Sequence, residues 1–230
     1  MQPTVLLFDI DGTLVTTGGA GRRALERAFE ARWGRADALG DLRLDGMTDI
    51  AIVRHGLKAL GRNGTTQDIH ETLAAYVSCL GEEVANADAA HYRVHPGMRE
   101  ALSAAIAQEI VAVGLGTGNI QDGARVKLSR VGLYEHFSFG GFGDDHEQRE
   151  QLIAKGAERG ANQLGHAVTD CRIVVIGDTP KDVAAALHIG ATCIGVGTGS
   201  FSAAQLRAAG AKHAFDTLAA PGAIQALLDG

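Results

Sequence analysis

The stretch Val5-Leu6-Leu7-Phe8-Asp9-Ile10-Asp11-Gly12-Thr13-Leu14 decides the fold of this chain. Four apolar residues run straight into two carboxylates, a glycine and a hydroxyl. A short continuous apolar run bounded by turn residues reads as a parallel strand covered on both faces. Similar runs recur at residues 110–115, 173–176 and 191–196. Between them Met98, Ala101, Leu102, Ala105 and Ile106 repeat with helical spacing, and like patterns cover 124–131, 148–159, 180–188 and 203–209. Strand alternating with helix predicts an α/β fold with a doubly wound, Rossmann-like parallel sheet. Residues 137–139 and 213–215 are expected to add two short strands.

From about residue 16 to 92 this rhythm stops and no strand is predicted. Ile69, Leu73, Tyr76, Val77, Leu80 and Val84 form one long helical stripe, opened by Thr65 or Thr66 as N-cap with Asp68 and Glu71 in the early turns. Ile50, Val53, Leu57 and Leu60 make a second stripe, and Ala24, Leu25, Ala28 and Phe29 a third. An all-helical block over 16–92 is therefore expected inside a core made of 1–15 and 93–230. Gly18-Gly19 and Pro96-Gly97, at the two crossings, are its expected hinges.

Composition narrows the function classes. The chain has 230 residues, 46% hydrophobic and 21% charged, which excludes a disordered chain. Lys plus Arg number 21 against 27 Asp plus Glu, a net charge of −6. That sign argues against nucleic acid or an anionic membrane as partner, since both call for a basic surface. Cys79, Cys171 and Cys193 are far apart, without metal-ligand spacing, as in a reducing compartment. Neither a signal sequence nor a membrane-length apolar run is visible. A cytoplasmic monomer or homodimer acting on a small molecule is expected.

In open α/β sheets ligands bind beyond the carboxyl ends of the strands. There the sequence places Asp9 and Asp11, then Thr117-Gly118-Asn119, then Gly177-Asp178-Thr179-Pro180-Lys181-Asp182. If the first strand continued regularly, Asp9 and Asp11 would share a face, with Asp178 beside them. Each like-charged pair 4 Å apart costs about 4 kcal/mol at an effective dielectric of ~20. Such a trio calls for a cation, and all-oxygen donors favour Mg²⁺ over zinc. Thr117 and the free amides that follow it make an anion site at a helix start; the alternative is that Asn119 merely caps that helix.

Asp-x-Asp-Gly-Thr-Leu at 9–14, Thr117 after a later strand, and Gly177-Asp178 with Asp182 four residues on resemble the haloacid dehalogenase superfamily of aspartate-nucleophile hydrolases. The resemblance spans the chain. Its helical block is similar to the small α-helical cap of the phosphoglycolate phosphatase and β-phosphoglucomutase-like members. The resemblance implies that Asp9 is the nucleophile and Asp11 the acid/base. It further implies that Mg²⁺ is held by Asp9, Asp178 and the Asp11 backbone carbonyl, with Asp182 orienting metal-bound water. Thr117 and the Gly118 and Asn119 amides would bind the transferring phosphoryl. The family's Lys-Pro pair is missing. Arg149 and Lys155 are the candidate cations, and Arg149, at a helix start near the rim, is preferred.

Relatives that cleave carbon–halogen bonds lack the second Asp, so Asp11 implies phosphate-ester chemistry. The implied activity is Mg²⁺-dependent phosphomonoester hydrolysis through an aspartyl-phosphate on a small phosphorylated metabolite, with a sugar phosphomutase as the alternative. The loop Leu44-Asp45-Gly46-Met47-Thr48-Asp49 resembles the cap loop that faces the site, and its two acids disfavour a second phosphate there. Arg22, Arg23 and Arg93 are further candidates for substrate contact. A different class, an aspartate-phosphorylated signalling receiver or a phospho-ligand-binding module, shares Asp clusters at strand ends. The receiver has no use for the helical block, and a binding module need not keep both Asp9 and Asp11. Trp33 is read as packing, and Gly195-Val196-Gly197-Thr198-Gly199 as a flexible turn.

Overall fold

In the computed structural model, which describes residues 2–229, the opening apolar run forms β1 (Thr4–Phe8), buried along its whole length. A short β2 (Val15–Thr17) follows, then α1 (Ala20–Trp33), α2 (Asp49–Ala59) and α3 (Thr66–Asn86). β3 (Tyr92–Val94) returns antiparallel to β2. Beyond it come α4 (Met98–Ile106), β4 (Val111–Gly116), α5 (Gln121–Ser129), β5 (Gly140–Gly141) and α6 (Arg149–Leu164). β6 (Arg172–Gly177), α7 (Pro180–His188), β7 (Thr192–Val196), α8 (Ala203–Ala208), β8 (His213–Phe215) and α9 (Ala223–Asp229) complete the described chain.

Six of these strands form one parallel sheet in the order β5-β4-β1-β6-β7-β8. Successive side chains of a strand point to opposite faces, and both faces here are covered. Leu6 and Phe8 join Met98, Leu102, Val174 and Ile176 in one apolar cluster. Val5 and Leu7 join Leu152, Ile153, Val175 and Val183 in the other. That is why β1 carries no polar alternation. From β1 the chain moves to β4, and from β6 it moves the opposite way to β7. The crevice between the β1 and β6 ends is the switch point where ligands of such sheets bind.

Helices α1–α3 gather around a third cluster containing Phe29, Leu57, Tyr76 and Leu80. Thr65 is the N-cap of α3, in a reciprocal capping box with Asp68. The block is not free of strand at its edges, contrary to the sequence expectation. Val15–Thr17 pairs with Tyr92–Val94 through only three residues on each side, too few to leave a readable alternation. A second correction concerns β5, which lies at Gly140–Gly141 and not at 137–139. Phe137 instead closes a 3₁₀ turn through its N–H to the Tyr134 carbonyl, and its ring packs 6.3 Å from that of Phe8. Among the described residues no helix is long and apolar enough to cross a membrane.

Candidate active site

The backbone leaves β1 in a tight turn. The Asp9 N–H still donates to the Ile176 carbonyl at 2.9 Å, but the Val15 N–H folds back onto Ile10 at 3.0 Å. Gly12 takes φ +82°, and a Cβ there would lie 2.4 Å from Asp178 Oδ2. A Cβ on Gly199, in the loop after β7, would lie 1.8 Å from the same oxygen. The Asp178 carboxylate is thus seated between two bare Cα atoms. Thr13 Oγ1 donates to its Oδ1 at 3.0 Å.

This turn corrects the expectation that Asp9 and Asp11 share a face. Asp9 is buried and its Oδ1 lies 3.0 Å from Arg149 Nη2. The Asp11 side chain is 44% exposed and turns toward α5, where Lys127 Nζ meets its Oδ2 at 2.6 Å. The buried acidic cluster consists of Asp9, Asp178 and Asp182, with one oxygen of each within 4.8 Å of the others. Asp182 lies in the first turn of α7, fully buried. Its Oδ2 accepts from the Thr179 N–H at 3.0 Å and the Thr179 hydroxyl at 2.7 Å. Its other oxygen pairs with Arg149.

Burial pushes the carboxyls of both Asp9 and Asp178 well above the usual carboxylate range. Arg149 opposes the shift at Asp9, while Asp182 and Asp9 add to it at Asp178. Burial also works against the Arg149 charge, but Asp182 and Asp9 outweigh it and hold the guanidinium protonated. Asp182 is committed to Thr179 and Arg149. Asp9 and Asp178 remain as hard-oxygen donors facing one another in a site without His or Cys. That donor set fits a small hard divalent cation.

On the opposite side Thr117 is fully buried. Its Oγ1 accepts from the Asn119 backbone N–H at 3.3 Å and from Asn119 Nδ2 at 2.9 Å, so its own proton is free to donate outward. Asn119 does not cap α5; that position belongs to Ile120. Its amide turns instead to Asp11 Oδ2, at 2.9 Å. The Gly118 carbonyl accepts from the Asp49 N–H at 2.8 Å. The loop 44–49 also docks through the Ile120 N–H, which donates to Asp49 Oδ2 at 2.9 Å, and through Arg149 Nη1, which donates to the Gly46 carbonyl at 3.5 Å. Thr48 Oγ1 donates to the Glu147 carbonyl at 2.9 Å, Lys181 Nζ to the Asp45 carbonyl at 2.8 Å, and Ser200 Oγ to Asp45 Oδ1 at 2.7 Å.

Between this loop, α1, α3 and the sheet rim lies a cavity of about 430 Å³, whose walls include Asp9, Asp11, Arg22, Tyr76, Lys127 and Arg149. Lys155 is not among them. It is half-exposed and paired with Glu158 at 3.1 Å. Arg22 reaches the wall but donates to the Gly40 and Leu42 carbonyls and to Glu26. Arg23 is held by Glu83 and the Gly18 carbonyl, and Arg93 by the Ala90 carbonyl. Trp33 donates to Thr72 Oγ1 at 3.1 Å, in keeping with a packing role.

Three residues of the site escape the sequence reading. Lys127 sits in a helical stretch with nothing to mark it apart from solvated charges. Thr198 and Gly199 follow a strand on the same rim as the Asp clusters, and that placement was the available signal. Thr198 Oγ1 donates to the Gly12 carbonyl at 2.5 Å, so this glycine-rich loop is a wall of the site and not a free turn.

Solved structures share this architecture over nearly the whole chain. A hydrolase from Pseudomonas syringae is 21% identical, covering 99% of this chain and 98% of its own, with a TM-score of 0.70. CbbY from Rhodobacter sphaeroides, in complex with phosphate, is 19% identical over 96% and 97%, with a TM-score of 0.69. A predicted phosphoglycolate phosphatase from Haemophilus somnus 129pt is 20% identical over 95% of each chain, with a TM-score of 0.65. No curated protein matches the sequence. The family model for haloacid dehalogenase-like hydrolases matches residues 3–190. That span runs from β1 past α7 and takes in the Asp9, Thr117, Arg149 and Asp178 loops together, so the chain belongs to the haloacid dehalogenase-like hydrolases.

Proposed function

We propose that this protein is a Mg²⁺-dependent phosphomonoester hydrolase that works through an aspartyl-phosphate. The observation that carries the reading is Asp9: a buried carboxylate fixed by Arg149, beside Asp178, facing a cavity closed over by α1–α3. In this reading residues 16–92 are the cap and 1–15 with 93–230 the catalytic core.

Asp9 attacks phosphorus, and the bond from phosphorus to the ester oxygen breaks with its electron pair leaving on that oxygen. Asp11 supplies the proton that makes it a neutral alcohol. A water then attacks the aspartyl-phosphate. Asp11 takes its proton, the Asp9–phosphorus bond breaks, and inorganic phosphate leaves with the Asp9 carboxylate restored. Arg149 and the Thr117 hydroxyl face the charge that spreads over the phosphoryl oxygens, where fixed donors contribute most. Mg²⁺, held by Asp9, Asp178 and the Asp11 carbonyl, would offset the repulsion between nucleophile and phosphate.

The substrate favoured by the cavity carries one phosphate on an otherwise uncharged body. Its three cations, Arg22, Lys127 and Arg149, all have partners within the protein. The wall opposite the rim offers Leu25, Ile52 and Tyr76 with the acids Asp45 and Asp49. A phosphomutase would need a site for a second phosphate, and this wall does not favour one. Phosphate release from a panel of sugar, polyol and aryl phosphates, with Mg²⁺ and with EDTA, tests the reading. Asp9→Asn is expected to abolish release, with circular dichroism verifying that the variant is folded. Undiminished turnover by that variant or in EDTA would overturn the scheme.

A further inference from the structure

Lys127 is a buried cation with no part in the scheme above. Its side chain is 5% exposed, and its Nζ lies 2.6 Å from Asp11 Oδ2 and 2.6 Å from Asn119 Oδ1. Asn119 Nδ2 closes the triangle by donating to the same Asp11 oxygen at 2.9 Å. Both donors therefore converge on Oδ2, and among the described residues Asp11 Oδ1 receives no hydrogen bond.

The delivery of Lys127 is itself built. It lies in the last turn of α5, where its backbone carbonyl accepts from the Tyr92 hydroxyl at 2.8 Å. Its ammonium passes beneath α1 at Gly21, where a Cβ would stand 3.3 Å from Nζ. Asp49, on the facing helix, is drawn toward its charged form by the same ammonium. A buried lysine is costly unless paired and hydrogen-bonded, so the position is over-determined for one geometry.

We propose that Lys127, with Asn119, is the positioning residue for the acid/base: it pins Asp11 Oδ2 and leaves Oδ1 as the atom that gives and takes the proton. The proposal rests on the phosphatase reading. A side chain 44% exposed would otherwise rotate about χ2 and present either oxygen or neither. Fixing one oxygen with two donors removes that freedom before the ester arrives, which is how preorganisation lowers a barrier.

The test uses a set of substituted phenyl phosphates, from phenyl phosphate to 4-nitrophenyl phosphate. These share a shape but differ in how much the leaving oxygen needs a proton. General acid catalysis contributes about 100-fold or more where protonation is required. In Lys127→Met, kcat/KM for phenyl phosphate should fall about 30-fold further than kcat/KM for 4-nitrophenyl phosphate. Lys127→Gln, which keeps a donor near Oδ2 and is safer for folding, should show the same inequality at about fivefold. Melting temperatures verify that each variant is folded. A loss equal for all esters would mark Lys127 as merely structural, and no loss would remove it from the reaction; either result overturns the proposal. Failure of the wild-type protein to release phosphate from any of the series with Mg²⁺ would instead sink the phosphatase reading, and this inference with it.

Discussion

Replacing Arg149 separates the cation at Asp9 from every other positive charge near the site. Its Nη2 lies 3.0 Å from Asp9 Oδ1, and the same guanidinium pairs with Asp182. At an effective dielectric of ~20 one such contact is worth about 5 kcal/mol before desolvation. Removing one partner of a buried pair costs about 3–5 kcal/mol, because the other charge is left uncompensated. Arg149→Met leaves two such carboxylates beside Asp178, so a loss of about 4 kcal/mol at pH 7.5 is expected. Burial already pushes the Asp9 carboxyl up to about 6, so its protonation makes that loss shrink toward pH 5. Urea unfolding followed by circular dichroism at the two pH values measures it. In the reaction, loss of one fixed donor to the transferring group costs about 100-fold in kcat/KM or more. Arg149→Lys keeps the charge but not the guanidinium, whose Nη2 meets both Asp9 and Asp182 while Nη1 donates to the Gly46 carbonyl, so it should recover the stability better than the rate. Lys155→Ala removes an exposed pair and should stay within about 0.5 kcal/mol and near wild-type activity. A crippled Lys155→Ala beside an active Arg149→Met would refute the reasoning.

Two further outcomes follow from the seating of the acids. Gly199→Ala drives a Cβ to 1.8 Å from Asp178 Oδ2, so calorimetric titration with Mg²⁺ should give about tenfold weaker binding or worse; unchanged affinity would remove Asp178 from the cation site. Burial pushes the Asp49 carboxyl up from 3.8 to about 6. The folded chain therefore holds that proton between about pH 4 and pH 6, and the stability linked to it is present at low pH and lost as pH rises through about 6. Asp49→Asn should accordingly add up to about 3 kcal/mol at pH 7.5 and nothing near pH 3.5, read from unfolding curves at both. An equal gain at both would show that the effect is not protonic.

Much of this was legible in the sequence because it is written in local runs. Continuous apolar strands two-sided in burial, such as Val5 to Phe8, announce a parallel sheet, and the residues just past them announce its binding rim. That rule puts Asp9, Thr117, Asp178 and Asp182 at the strand ends, and the structure has all four buried there. Lys127 escapes it, since a lysine in a helix gives no local sign that its far end is buried 116 residues away in sequence from its acid partner. The direction of Asp11 was misread for a related reason. Alternation of side chains holds only while the strand continues, and the turn at Gly12 ends it. Thr198 and Gly199 could have been placed by the strand-end rule that found the acids; their glycine-rich composition drew attention to flexibility instead of to the close approach that only glycine permits.

The distribution of charge over the rim bears on where the proposed cation would sit. Arg149 serves Asp9 and Asp182 on the α6 side, and Lys127 serves Asp11 on the side facing α1. Asp178 is different: among the described residues its carboxylate has a hydroxyl donor, Thr13, and no cationic partner. It is also the acid that two glycines admit most closely. A fixed third cation from the protein would have paired it permanently and left nothing to gather donors from outside. With Arg149 occupied by the neighbouring acids, a divalent ion at Asp178 and Asp9, as proposed above, would offset a buried charge that no cation of the described residues pairs. Such an ion would also reduce the repulsion between the Asp9 carboxylate and the phosphate of the proposed substrate. In the proposed reaction metal and anion would therefore each favour the other's binding, as phosphoryl transfer between negatively charged groups calls for.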